Sequence, residues 1–223
     1  SMSNVRDVFN DRKEEIEFYF SVILDIENGN ALNTVDNAKF FRIMKSNFVL
    51  MLYNLVEATT TSGMLEIYEA LKDNTTSYDM LITQIQKIWR EYKIKEIYKP
   101  DSKLQTYTKR VEEIINTITQ DIPIELHKNM IGIDGNLNAK RIKEICDRHS
   151  IRYRVIDDNL VLEDIRKKRN ALAHGDDSFG RCARDLSVAD LESIKDVVIN
   201  FLSGIVEGME QYCINKKYLV SNS

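Results

Sequence analysis

Two prolines and eight glycines in 223 residues leave this chain few places to interrupt a helix or shape a tight turn. A β-sandwich or a glycine-rich phosphate-binding α/β fold needs many more of both. With 43% hydrophobic and 30% charged residues, the balance is that of an ordinary globular chain rather than a disordered one. The expectation is an all-α fold.

Hydrophobic periodicity supplies the elements. Val5, Val8, Phe9, Ile16, Phe20, Ile23 and Leu24 recur at three-and-four spacing, the stripe of a helix facing a core, and Asn28-Gly29 ends it. A second helix is expected from Asp36 to Thr60. Its centre, Phe48 to Tyr53, is apolar on every side, as in a helix enclosed by others. Ser62-Gly63 reads as a break before a short helix to Lys72. Ser77 and Asp79 offer starts for a helix through Trp89 to Ile97, closed by Lys99-Pro100, and Leu104 to Thr119 is amphipathic through Val111, Ile114, Ile115 and Ile118. The pattern fails between Asp121 and Asn136, where Pro123, Gly132 and Asp134-Gly135 mark a loop and the best place for an internal boundary. Asn138 caps a helix ending near His149, and Ile151 to Leu160 suits a short strand or an extended linker. Asp158 or Asn159 starts a helix to His174, with Gly175 where a left-handed cap is wanted. Ser187 to Asp190 opens a final helix through Tyr212.

The formal net charge of -4 argues against a general polyanion binder, so any basic site must be local. Between Asn138 and Arg184 there are 12 Lys and Arg against 8 Asp and Glu, a local net of +4. The three cysteines, Cys146, Cys182 and Cys213, lie far apart without C-x-x-C spacing, which suits a reduced compartment. The longest apolar run is too short to span a bilayer, and the N-terminus lacks a signal pattern. A soluble, cytoplasmic protein with no membrane partner is expected.

The basic segment contains Arg169-Asn170-Ala171-Leu172-Ala173-His174-Gly175. On a helix Asn170 and His174 share a face, with Arg169 on its flank, so all three can converge on one phosphate. A histidine there can deliver a proton to a departing 5′ oxygen of RNA while an always-charged arginine holds the phosphoryl oxygens. RNA supplies its own nucleophile, the 2′-hydroxyl, and the sequence shows no H-E-x-x-H or C-x-x-C ligand spacing, so no metal or cofactor is expected. Set against this, a histidine followed by glycine is ordinary helix-end chemistry, and a basic helix face is more often solvated than catalytic.

The run from Arg169 to Gly175, followed by Ser178-Phe179, resembles the R-x4-6-H signature of the HEPN superfamily. Two further blocks, Arg184 to Glu192 and Leu52 to Ala58, extend the resemblance to a stand-alone bacterial HEPN subgroup of defence and toxin systems. It implies a HEPN-like bundle over residues 2–223, with a four-helix up-and-down core, additional helices and room for one short strand or hairpin. It also implies a metal-independent endoribonuclease leaving a 2′,3′-cyclic phosphate. Such a protein acts as a homodimer with the site at the two-fold interface, has RNA as its substrate, and has an antitoxin or defence-system protein as a further partner. Arg169 and His174 are then the catalytic pair, with Asn170, Lys168 and Ser178 in support. Asp176 stands where toxins neutralised by nucleotide modification often carry tyrosine, which speaks against that mode of control. The alternative is a non-catalytic module of the same fold that binds RNA, a nucleotide or a partner.

Asn54 and Glu57 lie one turn apart on an otherwise apolar helix, where unpaired polar groups are costly. Either they line the cleft and orient Arg169 or His174, or they belong to a buried network tying two helices. Trp89, Tyr92 and Tyr98 interleave with Lys87, Arg90, Lys93, Lys95 and Lys99; an amphipathic helix with snorkelling lysines is a better reading than an RNA-stacking face. His127 and His149 read as surface or capping residues, and Gly132 and Gly135 as a turn.

Overall fold

The computed structural model describes residues 4–29, 36–97, 104–154 and 159–220, and among these it holds eight α-helices and no strand. They are α1 (Val5–Glu27), α2 (Asn37–Asp73), α3 (Thr83–Ile97), α4 (Leu104–Thr119), α5 (Lys128–Ile131), α6 (Ala139–His149), α7 (Asn159–His174) and α8 (Val188–Ile214). The fold is all-α. α2 lies at the centre, packed against α1, α7 and α8, while α6 bridges α7 and α3. Val5, Phe9, Ile16, Phe20 and Ile23 of α1 bury the expected stripe, and Phe48, Val49, Leu52 and Tyr53 of α2 are closed off from solvent.

Side-chain caps set several helix starts. Asn138 Oδ1 accepts the Arg141 amide of α6. At α8, Ser187 and Asp190 form a reciprocal capping box, each side chain accepting the other's backbone N–H. The cap expected at Asp158 lies outside the described residues, as does the Lys99-Pro100 stop.

Two expectations are corrected, and a third is narrowed. α2 runs without a break through Ser62-Gly63. Gly63 is there for proximity: a Cβ would lie 2.3 Å from Met209 Sδ of α8 and 3.1 Å from Val5 Cγ2, so α2 and α8 meet backbone to side chain at this point. The helix expected from Ser77 starts later. Residues Tyr78–Met80 form a 3-10 turn, and Leu81 turns extended to bridge Leu219 while the Ile82 amide donates to the Tyr218 carbonyl; a contact with the distant C-terminal segment outweighs the local start signal. Of the strand and linker alternatives for Ile151 to Leu160, residues 151–154 form no strand and run as a linker, and 155–158 lie outside the described residues. The described stretch instead lies across α8, where a Cβ on Gly208 would come within 2.3 Å of the Arg152 carbonyl oxygen.

The 121–136 segment contains α5 and sends Ile124, Leu126, Met130 and Ile131 into the core. Its last part, from Gly132 to Leu137, lies beside the centre of α2.

Candidate functional site

Arg169 stands on the α7 face that packs against α2. Its guanidinium carbon lies 4.4 Å from the Tyr53 ring centroid, a cation–π contact. One terminal nitrogen is 3.6 Å from Glu57 Oε2, and the other donates to Asn170 Oδ1 at 2.8 Å. The side chain keeps 26% of its surface exposed, so it is braced on three sides yet open to a ligand. Asn170 in turn donates to Asn136 Oδ1 at 2.9 Å.

Tyr53 joins this cluster to the loop. Its hydroxyl donates to the Gly135 carbonyl at 2.7 Å and accepts the Leu137 amide at 3.2 Å, while burial pushes its phenol up from the ordinary value despite the opposing Arg169 charge. Gly135 takes a left-handed φ of 76°, and a Cβ there would lie 3.8 Å from Glu57 and 3.9 Å from Arg169. The turn therefore forms the third wall of the Arg169 pocket.

One turn earlier on α7, Arg166 grips both Glu163 oxygens at 2.6 and 3.0 Å, and Asn138 Nδ2 donates to the same carboxylate at 2.8 Å. These hydrogen bonds, Arg166 first, hold the Glu163 carboxyl down to about 2. Lys168 pairs with Asp164 at 3.6 Å.

His174 is the last residue of α7, solvent-exposed, and its imidazole has no hydrogen-bond partner among the described residues. It lies five positions after Arg169, which at 100° per residue puts the two about 140° apart around the axis and about 7.5 Å apart along it. Arg169 and Asn170 are therefore brought together by their hydrogen bond, while His174 is presented outward at the helix end. Gly175 takes φ 77° as a left-handed cap.

The chain after His174 is firmly held. The Asp177 amide returns to the Ala171 carbonyl. Ser46, fully buried on α2, donates to the Phe179 carbonyl at 2.7 Å and accepts the Ala183 amide at 3.2 Å. The buried Lys45 ammonium donates to the Arg184 and Leu186 carbonyls at 2.8 and 2.5 Å, and its desolvation lowers its pKa. Ser178 is exposed in this turn, its amide bonded to Asp177 and its carbonyl accepting from Arg181 and Cys182.

Of the α2 pair, Glu57 reaches Arg169 across the α2–α7 contact, while Asn54 is exposed and escapes the burial cost that singled it out. Trp89 is buried against Tyr78 and Tyr92 is half-buried, so Trp89 offers no stacking face; Tyr98 and Lys99 lie outside the described residues. His127 is on the surface. His149 is fully buried, with Nε2 2.8 Å from the Tyr68 hydroxyl and Nδ1 2.7 Å from the Ile145 carbonyl, which corrects the surface reading. Tyr53, Asn136, Lys45 and Ser46 were not reached by motif reasoning. Lys45 and Ser46 stand out only as polar residues just before the apolar Phe48–Tyr53 run, and Tyr53 and Asn136 carry no sequence signal of their own.

Among the described residues no group of His, Cys, Asp and Glu forms a metal-ligand cluster, and no helix is long and apolar enough to cross a membrane. No curated protein and no solved structure matches the chain. The model of the MAE_28990-like HEPN family matches residues 1–218, spanning both the α2 block with Tyr53 and Glu57 and the α7 block with Arg169 and His174. The chain thus belongs to the HEPN superfamily, within its MAE_28990-like family.

Proposed function

We propose that this HEPN protein is an endoribonuclease that cuts RNA without a metal ion. The 2′-hydroxyl oxygen attacks the adjacent phosphorus, the P–O5′ bond breaks, and a 2′,3′-cyclic phosphate and a 5′-hydroxyl end result. One base takes the 2′ proton and one acid protonates the leaving O5′. Arg169 holds the non-bridging oxygens as charge builds on them, and its brace of Tyr53, Glu57 and Asn170 fixes the guanidinium beforehand. His174 is the proton-transfer group.

The observation that carries this reading is the division of the motif: an arginine braced inside a pocket and an imidazole held out at the helix end. A single chain supplies one such histidine. Two chains related by a two-fold axis supply an acid and a base, and a partner's His174 can meet an Arg169 that its own histidine faces away from. A homodimer, working beside an antitoxin or defence-system protein, is therefore part of the proposal.

Incubation of the purified chain with total RNA and a chelator, followed by mapping of the cut ends, tests it. Cyclic phosphate ends that vanish in Arg169→Ala and His174→Ala, both folded, are the expected result. Equal cutting by the variants overturns it, and a solution mass of one chain under cutting conditions overturns the shared site. One observation favours a module that binds without cutting: the Glu57 carboxylate beside Arg169 competes with a phosphate for the same guanidinium. In that case His174→Ala retains full RNA affinity and the wild-type chain leaves RNA intact.

A further inference from the structure

Beside the Arg169 pocket lies a groove of about 300 Å³, lined by the 134–138 loop, the first turns of α6 and Arg166 of α7. It is continuous with the motif through Asn136, whose Oδ1 takes the Asn170 hydrogen bond. Its guanidinium groups are already engaged, and the Lys140 ammonium on its rim is exposed and 4.0 Å from Glu144. Arg166 is held by both oxygens of Glu163, and Arg141 by Glu144 at 3.2 Å and by the Gly132 carbonyl at 2.7 Å. Asn138 spends its oxygen on the Arg141 amide and its nitrogen on Glu163. With the guanidinium groups neutralised, Lys140 set against Glu144 and Asp134 also on the wall, the groove carries no net positive charge and is a poor phosphate site.

What remains unspent is a donor and an acceptor. Asp134 Oδ1 accepts the Asn136 backbone amide at 3.1 Å, which leaves Oδ2 open, and Asn136 Nδ2 has no hydrogen bond among the described residues; both residues are exposed. A free carboxylate oxygen and a free amide NH2 lining the same groove supply the acceptor and donor that complement the donor–acceptor edge of an unpaired nucleobase. We propose that this groove is a nucleobase subsite for the residue flanking the scissile linkage of single-stranded RNA, read by Asp134 and Asn136, with Tyr53 as the positioning residue that holds the loop in register with Arg169. The inference rests on the nuclease reading for its place in the reaction, but the subsite stands on its own geometry. A base seated here pulls on Asn136, and through Asn170 that pull reaches the guanidinium.

The test is cut-site sequencing on a randomised single-stranded RNA with the full chain and its Asp134→Ala, Asn136→Ala and Tyr53→Phe variants. The wild-type chain shows a base preference at one position flanking the cut. Asn136→Ala and Asp134→Ala flatten that preference by about tenfold, because a site built to hydrogen-bond loses discrimination when its partners go. Tyr53→Phe keeps the ring under Arg169 but frees the Gly135 carbonyl and Leu137 amide, and it flattens the same position without touching RNA. A uniform slowing with the preference intact overturns the proposal. To separate its failure from that of the nuclease reading, the non-cutting His174→Ala chain is titrated with short homopolymer oligoribonucleotides and with inorganic phosphate. Base-dependent shifts of the Asn136 side-chain amide resonances support the subsite whether or not the wild-type chain cuts RNA. Shifts equal for all bases, shifts reproduced by phosphate, or none at all overturn it.

Discussion

Two helices of this protein end alike and serve opposite ends. α6 closes on His149 and α7 on His174, and in each the next residue, Ser150 or Gly175, takes the left-handed conformation, with φ of 62° and 77°. Local chemistry treats the two imidazoles as equals. The fold does not: His149 is sealed between Tyr68 and the core, and the Tyr212 hydroxyl donates to its carbonyl at 2.8 Å, while His174 stands in solvent. Because the Ile145 carbonyl can only accept, His149 Nδ1 carries the proton and Nε2 accepts from Tyr68. That ring is a neutral structural plug. A helix-terminal histidine is therefore a functional candidate only when its helix ends at the edge of the packing, as α7 does.

The sharpest break of this comparison is catalytic. His174→Ala and Arg169→Ala are each expected to lower RNA cleavage by about 10²- to 10⁴-fold while leaving stability within about 0.5 kcal/mol for the exposed histidine; His149→Ala leaves cleavage per folded molecule unchanged. Next comes stability. His149→Ala strands the Tyr68 hydroxyl and opens a void, costing about 2–4 kcal/mol in a denaturant titration.

The third expectation concerns acid. Burial holds His149 down to about 4 against an ordinary 6.5, so between those values the unfolded chain binds a proton that the folded chain excludes. The resulting stability is fully present above pH 6.5 and is lost as pH falls toward 4, a change of about 3 kcal/mol. Urea midpoints measured from pH 7 to 4 should show this slope, and His149→Gln should flatten it. The smallest effects lie at the caps. Gly175→Ala costs about 1 kcal/mol through its left-handed φ alone, since a Cβ there meets nothing within 4 Å, and Ser150→Gly gains about 0.5–1 kcal/mol. Thermal melts of the pair should move in opposite directions.

Features governed by neighbours in the chain were legible in the sequence. The α1 stripe, the Asn138 cap, the Ser187 box, the Gly175 turn and the close of α7 at His174 follow from residues a few positions apart. Features governed by distant partners were not. Gly63 reads as a breaker until Met209 is seen packed on it, and the Ser77 start yields to the 218–219 segment. The site divides the same way. Arg169 and His174 are visible as a motif, and Glu57 as an anomaly in an apolar helix. Tyr53 carries no such mark, because tyrosine is at home in a core and only its partners, Gly135, Leu137 and Arg169, distinguish it. Asn54 shows the converse: a polar residue in an apolar run that simply reaches solvent.

The anchorage behind His174 has a thermodynamic consequence. Lys45 and Ser46 tie down the carbonyls of residues 179, 184 and 186, and Ala171 recaptures the chain at Asp177, so the backbone carrying the imidazole surrenders its freedom during folding rather than on meeting the RNA proposed as its substrate. Only the ring's own rotation is left to be quenched in the complex, a far smaller entropic demand than ordering a loop. A swap of Lys45 for a residue that cannot hold those carbonyls would return that disorder to the binding step, and it would surface as weaker engagement of RNA by a protein whose chemistry is otherwise intact.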